Sequence, residues 1–119
     1  MSATLKERVA AYIESTDHVS YAELGNHFPE FKGGDCAMYL RENLILWCNM
    51  TEEAGQAIND LRAEQRIWVQ PASWLIYLID GMSLSLPIAK RVQDYKKPHW
   101  APVTLRPAKA LPAKARRRQ

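Results

Sequence analysis

The chain has 119 residues, of which 47% are hydrophobic and 24% are charged, and this length and balance are typical of one globular domain. The first residues lack the apolar core of a signal peptide, and the longest purely apolar run, Trp74–Ile79, is far too short to span a bilayer. We therefore expect a cytoplasmic protein with no membrane partner.

The net charge of +3 conceals a strong asymmetry along the chain. Residues 1–86 hold 6 basic and 12 acidic side chains, a net charge of −6, whereas residues 87–119 hold 10 basic and 1 acidic, a net charge of +9. Basic arms of this kind bind nucleic acid through its phosphates with little sequence preference. We therefore predict a nucleic-acid-binding surface formed by Lys90, Arg91, Lys96, Lys97, Arg106, Lys109, Lys114, Arg116, Arg117 and Arg118.

The residues that most often carry metal or redox chemistry are few. Cys36 and Cys48 lie among hydrophobic neighbours and are predicted to be buried free thiols. His18, His27 and His99 have no metal-ligand spacing with either cysteine. The sequence also contains no nucleophile elbow, phosphate-binding glycine loop or zinc-protease motif. We therefore predict no metal, no cofactor and no enzyme activity.

Capping signals predict two helices at the start of the chain. Thr4 and Glu7 form a capping box for a helix over residues 5–15, whose apolar side chains share one face. Ser20 and Glu23 repeat the box at the start of a short second helix.

The middle of the chain contains the strongest helical pattern. Asp35 is a candidate cap for a short helix over residues 36–42, and the apolar run 44–48 fits either a buried strand or a helix. Residues 51–65 are predicted to form a long amphipathic helix that Thr51 caps. The apolar stripe of this helix consists of Ala54, Ala57, Ile58 and Leu61.

The later elements are predicted from β-rich segments and turn signals. Residues 67–70 and 74–79 are expected to be strands, and the Asp80-Gly81 dipeptide is expected to turn the chain into a third strand over residues 82–86. A last short helix is predicted to begin at Pro87.

These elements divide the chain into a domain over residues 1–97, with its core in residues 5–86, and a proline-rich basic arm over residues 98–119. Trp100 in the arm is expected to dock on the domain, and a truncation after Leu86 is expected to stay folded. The predicted core contains Leu5, Val9, Ile13, Leu24, Ile58, Leu61, Val69 and Ile76.

The order of helix, short helix, strand, longer helix and hairpin over residues 5–86 resembles the winged helix-turn-helix superfamily. Residues 51–69 (TEEAGQAINDLRAEQRIWV) are similar to its third helix running into the wing. The resemblance implies an α+β fold with three or more helices and a small antiparallel sheet, together with DNA binding and transcription regulation. The chain departs from the family in the insertion over residues 28–50 and in the acidic opening of the third helix.

Several side chains on the third helix and the wing are candidates for a recognition face. Gln56, Asn59 and Arg62 can read base edges, the alternative being an ordinary solvated helix face. Trp68 and Trp74 are either core residues or exposed anchors for a partner.

Two functional hypotheses follow. The first is a small nucleic-acid-associated regulatory or accessory protein of bacterial or phage type, with DNA favoured over RNA. Its basic arm contacts phosphates, and its acidic helix or wing docks a protein partner or a second copy. The second is a protein–protein interaction module in which the acidic helix 51–65 docks a basic partner, for example as an inhibitor or adaptor of a nucleic-acid enzyme.

Overall fold

A computed structural model describes residues 4–90, 93 and 95–110, which form an α+β fold with four α-helices and two three-stranded sheets. The helices are α1 (Leu5–Thr16), α2 (Tyr21–His27), α3 (Glu52–Ala63) and α4 (Trp74–Ile79). The strands are β1 (Val19–Ser20), β2 (Cys36–Arg41), β3 (Leu44–Met50), β4 (Ile67–Pro71), β5 (His99–Trp100) and β6 (Val103–Pro107). Within the described ranges, none of the helices has the length and apolar character needed to cross a membrane.

The first three helices begin at the residues that the capping signals indicate. The side chains of Thr4, Ser20 and Thr51 each accept a hydrogen bond from the backbone N–H three residues later, at 3.2, 2.9 and 3.2 Å. These bonds satisfy donors that would otherwise be unpaired at the helix start. The predictions of α1, α2 and α3 are therefore confirmed.

The first sheet has the order β1-β6-β4, and β6 is antiparallel to both neighbours. Leu105 in β6 lies opposite Val19 on one side and Val69 on the other. The apolar faces of α1, α2 and α3 join this sheet in one buried cluster. Six of the eight predicted core residues belong to that cluster. Val69 is partly buried against it, whereas Ile76 lies outside it.

The second sheet has the order β2-β3-β5, with β2 antiparallel and β5 parallel to β3. The predicted helix over residues 36–42 is wrong, because residues 36–41 form β2 and pair with β3, for example at Met38 and Trp47. Asp35 gives a local helix signal, and the pairing of the whole strand with β3 outweighs it. The run 44–48, for which the sequence leaves strand or helix open, is a strand that extends to Met50.

Residues 74–79 form the helix α4, so the predicted strand is wrong. Ser73 caps the helix by accepting a hydrogen bond from the N–H of Leu75 at 3.2 Å. Tyr77 anchors it to the core, because its hydroxyl donates to the Val103 carbonyl at 2.5 Å and accepts from the Tyr21 N–H at 3.2 Å. An entirely apolar segment has no periodicity that separates a strand from a helix.

The elements predicted after α4 are also wrong. Asp80-Gly81 ends α4 and does not turn a hairpin, and residues 82–86 form no strand. Pro87 does not open a helix; Ile88 instead forms a parallel bridge with Trp100.

The chain after Lys97 was expected to be an unpacked arm, and this is wrong for residues 98–110. They supply β5 and β6, and β6 is the central strand of the first sheet. Trp100 is only 2% exposed, which confirms that it docks on the domain. Pro102 lies just before β6 and Pro107 is its last residue, so these prolines mark the ends of the strand. Residues 111–119 of the predicted arm lie outside the described residues.

Candidate nucleic-acid interface

A groove of about 440 Å³ lies between the C-terminal half of α3 and the strand β4. Only three residues separate the end of α3 from the start of β4, so the helix and the strand form facing walls. The residues that line the groove are Asn59, Arg62, Ala63, Ile67, Trp68 and Val69.

Two predicted recognition residues, Asn59 and Arg62, lie one helical turn apart and therefore share a face of α3. Asn59 is exposed and Arg62 is half-buried. The Arg62 side chain forms no ion pair or hydrogen bond with the part of the chain that the structure describes. In contrast, Nη1 of Arg66 lies 2.7 Å from Oε2 of Glu7. Arg62 therefore retains all its donors for a ligand in the groove.

The indole of Trp68 lines the groove and is held in place by two contacts. Its Nε1 donates to the Pro107 carbonyl at 3.2 Å. The guanidinium carbon of Arg106 lies over the ring, 5.4 Å from its centre. These contacts restrict the rotamers of Trp68, so it presents a pre-ordered apolar surface next to Arg62.

Arg106 was predicted to contact phosphate, and the structure gives it internal partners. Its Nε and Nη2 lie 3.0 and 2.9 Å from the two carboxylate oxygens of Asp17, and its Nη1 lies 3.0 Å from Oε1 of Gln70. The hydrogen bonds from Arg106 lower the pKa of Asp17 to about 2. Arg106 therefore orders β6, and we do not include it in the interface.

The end of the described chain lies beside the groove. A short 3-10 helix, Ala108–Ala110, follows β6 and carries the exposed Lys109. The N–H of Ala108 donates to the carbonyl of Arg66 at 2.9 Å, next to the start of β4. Lys114, Arg116, Arg117 and Arg118 lie outside the described residues.

The other predicted basic residues lie elsewhere. Lys90, Lys96 and Lys97 are exposed on the segment between α4 and β5, which connects to the opposite end of β6. The two ends of this five-residue strand are about 13 Å apart. Arg91 lies outside the described residues. Of the predicted phosphate-binding residues that the structure describes, Lys109 thus follows one end of β6, whereas Lys90, Lys96 and Lys97 lie on the segment that leads to the other end.

Gln56 and Trp74 do not join the groove. The amide of Gln56 donates to Oδ1 of Asp60 at 2.7 Å, one turn along α3. Trp74 is 41% exposed on α4, beside a different groove. The structure therefore unites Asn59, Arg62 and Trp68 and separates the other two candidates from them.

Sequence analysis missed Ala63, Ile67 and Val69 as groove residues. Ala63 is the last residue of α3, and its small side chain leaves the groove open between Arg62 and Trp68. The only signal in the sequence is the short connection between α3 and β4, which brings neighbouring side chains of both elements together.

The acidic start of α3 limits where a phosphate can approach. Glu52 and Glu53 are exposed in the first turn, and Asp60 lies on the outer side of the helix. Glu53 and Arg62 are nine residues apart, about 13 Å along the helix axis. Repulsion by Glu52 and Glu53 disfavours an anionic ligand at the start of α3, whereas Asp60 lies only two residues from Arg62.

The thiols of Cys36 and Cys48 are free and half-buried. Burial raises the pKa of Cys48, which disfavours the reactive thiolate. Among residues 4–90, 93 and 95–110, no three His, Cys, Asp or Glu side chains are grouped so that they could hold a metal ion.

Comparisons of the chain with protein families, with curated proteins and with solved structures find no match. The functional conclusion below therefore depends on the geometry and charge of the molecule itself.

Proposed function

We propose that this protein is a small nucleic-acid-binding regulatory or accessory protein with a winged-helix arrangement, and that its main ligand is duplex DNA. The element order supports the arrangement, because α1, α2 and α3 precede the antiparallel pair β4 and β6 in the positions of helices and wing. The hairpin of β2 and β3 is then an insertion between α2 and α3, and residues 72–102 are an insertion between the wing strands.

The observation that carries the proposal is the unpartnered Arg62 beside the place where the basic tail begins. Phosphate contacts supply most of the affinity of nucleic-acid-binding proteins. Arg62 and Lys109 are described basic residues near the groove, and Lys114, Arg116, Arg117 and Arg118 follow within nine residues of Ala110.

The remaining groove residues suit contact with bases. An asparagine side chain pairs with adenine in the major groove, and Asn59 lies one turn from Arg62. Trp68 offers an apolar surface to a sugar or base. Because only these few side chains are placed to read sequence, we propose modest specificity on top of phosphate-driven affinity.

The test is binding of a labelled duplex to the full chain at several salt concentrations. Arg62→Gln is expected to weaken binding several-fold and to reduce the slope of log affinity against log salt by about one, as loss of one phosphate contact does. Arg8→Gln is the matched control, because Arg8 lies on α1 and its Nη2 is 3.6 Å from Oε2 of Glu30. Equal affinity of Arg62→Gln and the unchanged protein would contradict the proposed interface.

One observation favours the second hypothesis, a module that docks a basic protein. Glu52 and Glu53 are exposed and form no ion pair with any residue in the described ranges. If the full chain binds neither DNA nor RNA at low salt, this acidic surface becomes the better candidate. The double variant Glu52→Lys, Glu53→Lys would then abolish binding of the basic partner.

A further inference from the structure

A second groove, of about 340 Å³, lies at the other end of β6 and is apolar. Its walls include Leu40 from β2, Trp74 from α4, and Ile88, which bridges to β5. All three side chains are exposed although they are large and apolar. Proline and alanine side chains supply most of the remaining lining.

The exposed face of α4 extends this groove into a larger apolar surface. Leu75, Leu78 and Ile79 are 53%, 50% and 84% exposed, and together with Trp74 they occupy one side of the helix. Tyr77 on the opposite side is the buried residue of α4. The helix contains no charged residue that would make this face suited to water. Contiguous apolar surfaces of this kind mark sites of protein association.

The charges around this surface are mostly positive. Lys90 lines the groove, and Lys96 and Lys97 are exposed on the same connecting segment. None of the described lining residues is acidic. Arg41, the last residue of β2, and Glu42, which follows it, contribute opposite charges.

Asp80 directly follows α4, but its carboxylate is already engaged. Ser20 donates a hydrogen bond from its hydroxyl to Oδ2 of Asp80 at 2.5 Å. The groove itself therefore combines an apolar floor with the positive charge of Lys90.

We propose that this surface binds an acidic segment of a partner protein that also carries large apolar side chains. The apolar side chains of the segment would fill the groove between Leu40, Trp74 and Ile88, as anchors do at the centre of an interface. Its carboxylates would face Lys90, Lys96 and Lys97, which gives charge complementarity at the rim.

Two other occupants fit less well. A nucleic acid would meet the lysines but would gain little from an apolar helix face. Neither exposed helix of a second copy matches, because α4 carries no carboxylate and the acidic face of α3 exposes no large apolar side chain in the described residues. An acidic and apolar segment matches both properties of the surface.

The site is separate from the proposed nucleic-acid interface. Val103 lines this groove, whereas Pro107, at the far end of β6, lies opposite Ile67 of the first groove. A partner in this groove and a ligand in the groove of Arg62 would therefore contact different residues.

The test is selection of random displayed peptides on the full chain, followed by binding measurements with synthetic copies of the enriched peptides. We expect enrichment of Asp and Glu together with Leu, Ile, Phe or Trp. Ile79→Ser and Lys90→Glu should each weaken a selected peptide at least about tenfold, as loss of an interface anchor or a charge pair does. Both side chains are exposed, so both variants should fold. Arg8→Gln, on α1 and outside both proposed interfaces, is the control and should bind the selected peptide normally.

Each opposite outcome overturns the proposal. These outcomes are enrichment of basic or uncharged peptides, no enrichment at all, or binding that neither variant weakens. Dimerisation of the free protein that Ile79→Ser abolishes would identify a second copy as the occupant. Displacement of bound peptide by duplex DNA, with the same sensitivity to Lys90→Glu, would identify nucleic acid. If Arg62→Gln loses DNA binding but binds the selected peptide normally, the result bears on the proposed nucleic-acid interface and not on the peptide site.

Discussion

Arg106 and Asp17 are 89 residues apart in the chain and form an ion pair with two hydrogen bonds, Nε to Oδ1 at 3.0 Å and Nη2 to Oδ2 at 2.9 Å. Asp17 ends α1 in a backbone conformation with a φ of 59°, and Arg106 lies in the central strand β6. The pair therefore joins the first helix to the last strand and fixes the guanidinium of Arg106 over the ring of Trp68.

This ion pair predicts a specific acid sensitivity. The pKa of Asp17 is about 2 in the folded protein, below its ordinary value of 3.8, because Arg106 stabilises the carboxylate. A lowered folded-state pKa stabilises the fold above the unfolded-state pKa, and this contribution is lost as the pH falls through the folded-state pKa. We expect the stability difference between the unchanged protein and Asp17→Asn to shrink between about pH 4 and about pH 2.

Urea unfolding followed by tryptophan fluorescence at stepped pH measures this difference. Asp35→Asn is the control, because Asp35 is exposed and has no ion pair with other described residues, so its effect should not follow the same curve. An Asp17→Asn effect that stays constant down to pH 2 would show that the pair does not lower the pKa of Asp17.

The position of β6 predicts where the chain can be shortened. Truncation after Leu86 was expected to leave a folded domain, but it removes β6 and the buried side chains of Trp100, Val103 and Leu105. We expect this truncated chain to lose cooperative thermal unfolding. Truncation after Ala110 keeps every described strand and should unfold cooperatively. Circular dichroism melts of the two truncated chains test this expectation. A cooperative melt of the chain truncated after Leu86 would contradict the strand order.

A close contact between α3 and β2 predicts a rescuable defect at Gly55. A methyl group at this position would lie 2.6 Å from the sulfur of Cys36. Gly55→Ala should therefore destabilise the protein by about 1–3 kcal/mol through overpacking, less the gain of up to about 1 kcal/mol in helix propensity. Adding Cys36→Ala removes the sulfur and should recover most of the loss. Urea unfolding of the single and double variants measures the coupling, and additive effects would mean that the two residues do not touch.

The apolar stripe of α3 predicts two large losses of stability. Ile58 and Leu61 are fully buried in the core, so replacing either with alanine should lower the free energy of unfolding by about 2–5 kcal/mol. Asn59→Ala on the exposed face of the same helix is the control, with an expected change within about 0.5 kcal/mol. Losses below about 0.5 kcal/mol at both core positions would refute this packing.

Sequence reasoning succeeded where the decisive interactions are local. The caps at Thr4, Ser20 and Thr51 act within three residues, and the 3.6-residue period of α3 correctly places Asn59 and Arg62 on its polar side. These signals are sufficient to predict α1, α2, α3 and half of the groove.

Prediction from the sequence failed where contacts between residues far apart in the chain determine the structure. Residues 36–41 become a strand because β3 offers a partner, and residues 74–79 become a helix whose Tyr77 reaches the Val103 carbonyl. Arg106 is of a residue type that commonly binds phosphate, but its charge is paired with Asp17 near the other end of the chain. None of these partners can be deduced from spacing, because each depends on the completed fold.

The basic tail gives the last prediction, which concerns the salt dependence of DNA binding. Replacing Lys114, Arg116, Arg117 and Arg118 with glutamine removes four charges after Ala110 and keeps the chain length and β6 intact. Each phosphate that a tail charge neutralises adds about 0.9 to the slope of log affinity against log salt, so the variant should lose up to about four units of slope and most of its low-salt affinity. Replacing Lys90, Lys96 and Lys97 with glutamine is the matched control, because these lysines lie at the other end of β6, and it should change the slope by less than about one. Fluorescence anisotropy of a labelled duplex over a range of salt concentrations measures both slopes. A larger loss in the control than in the tail variant would place the phosphate contacts at the apolar groove and refute the interface around Arg62.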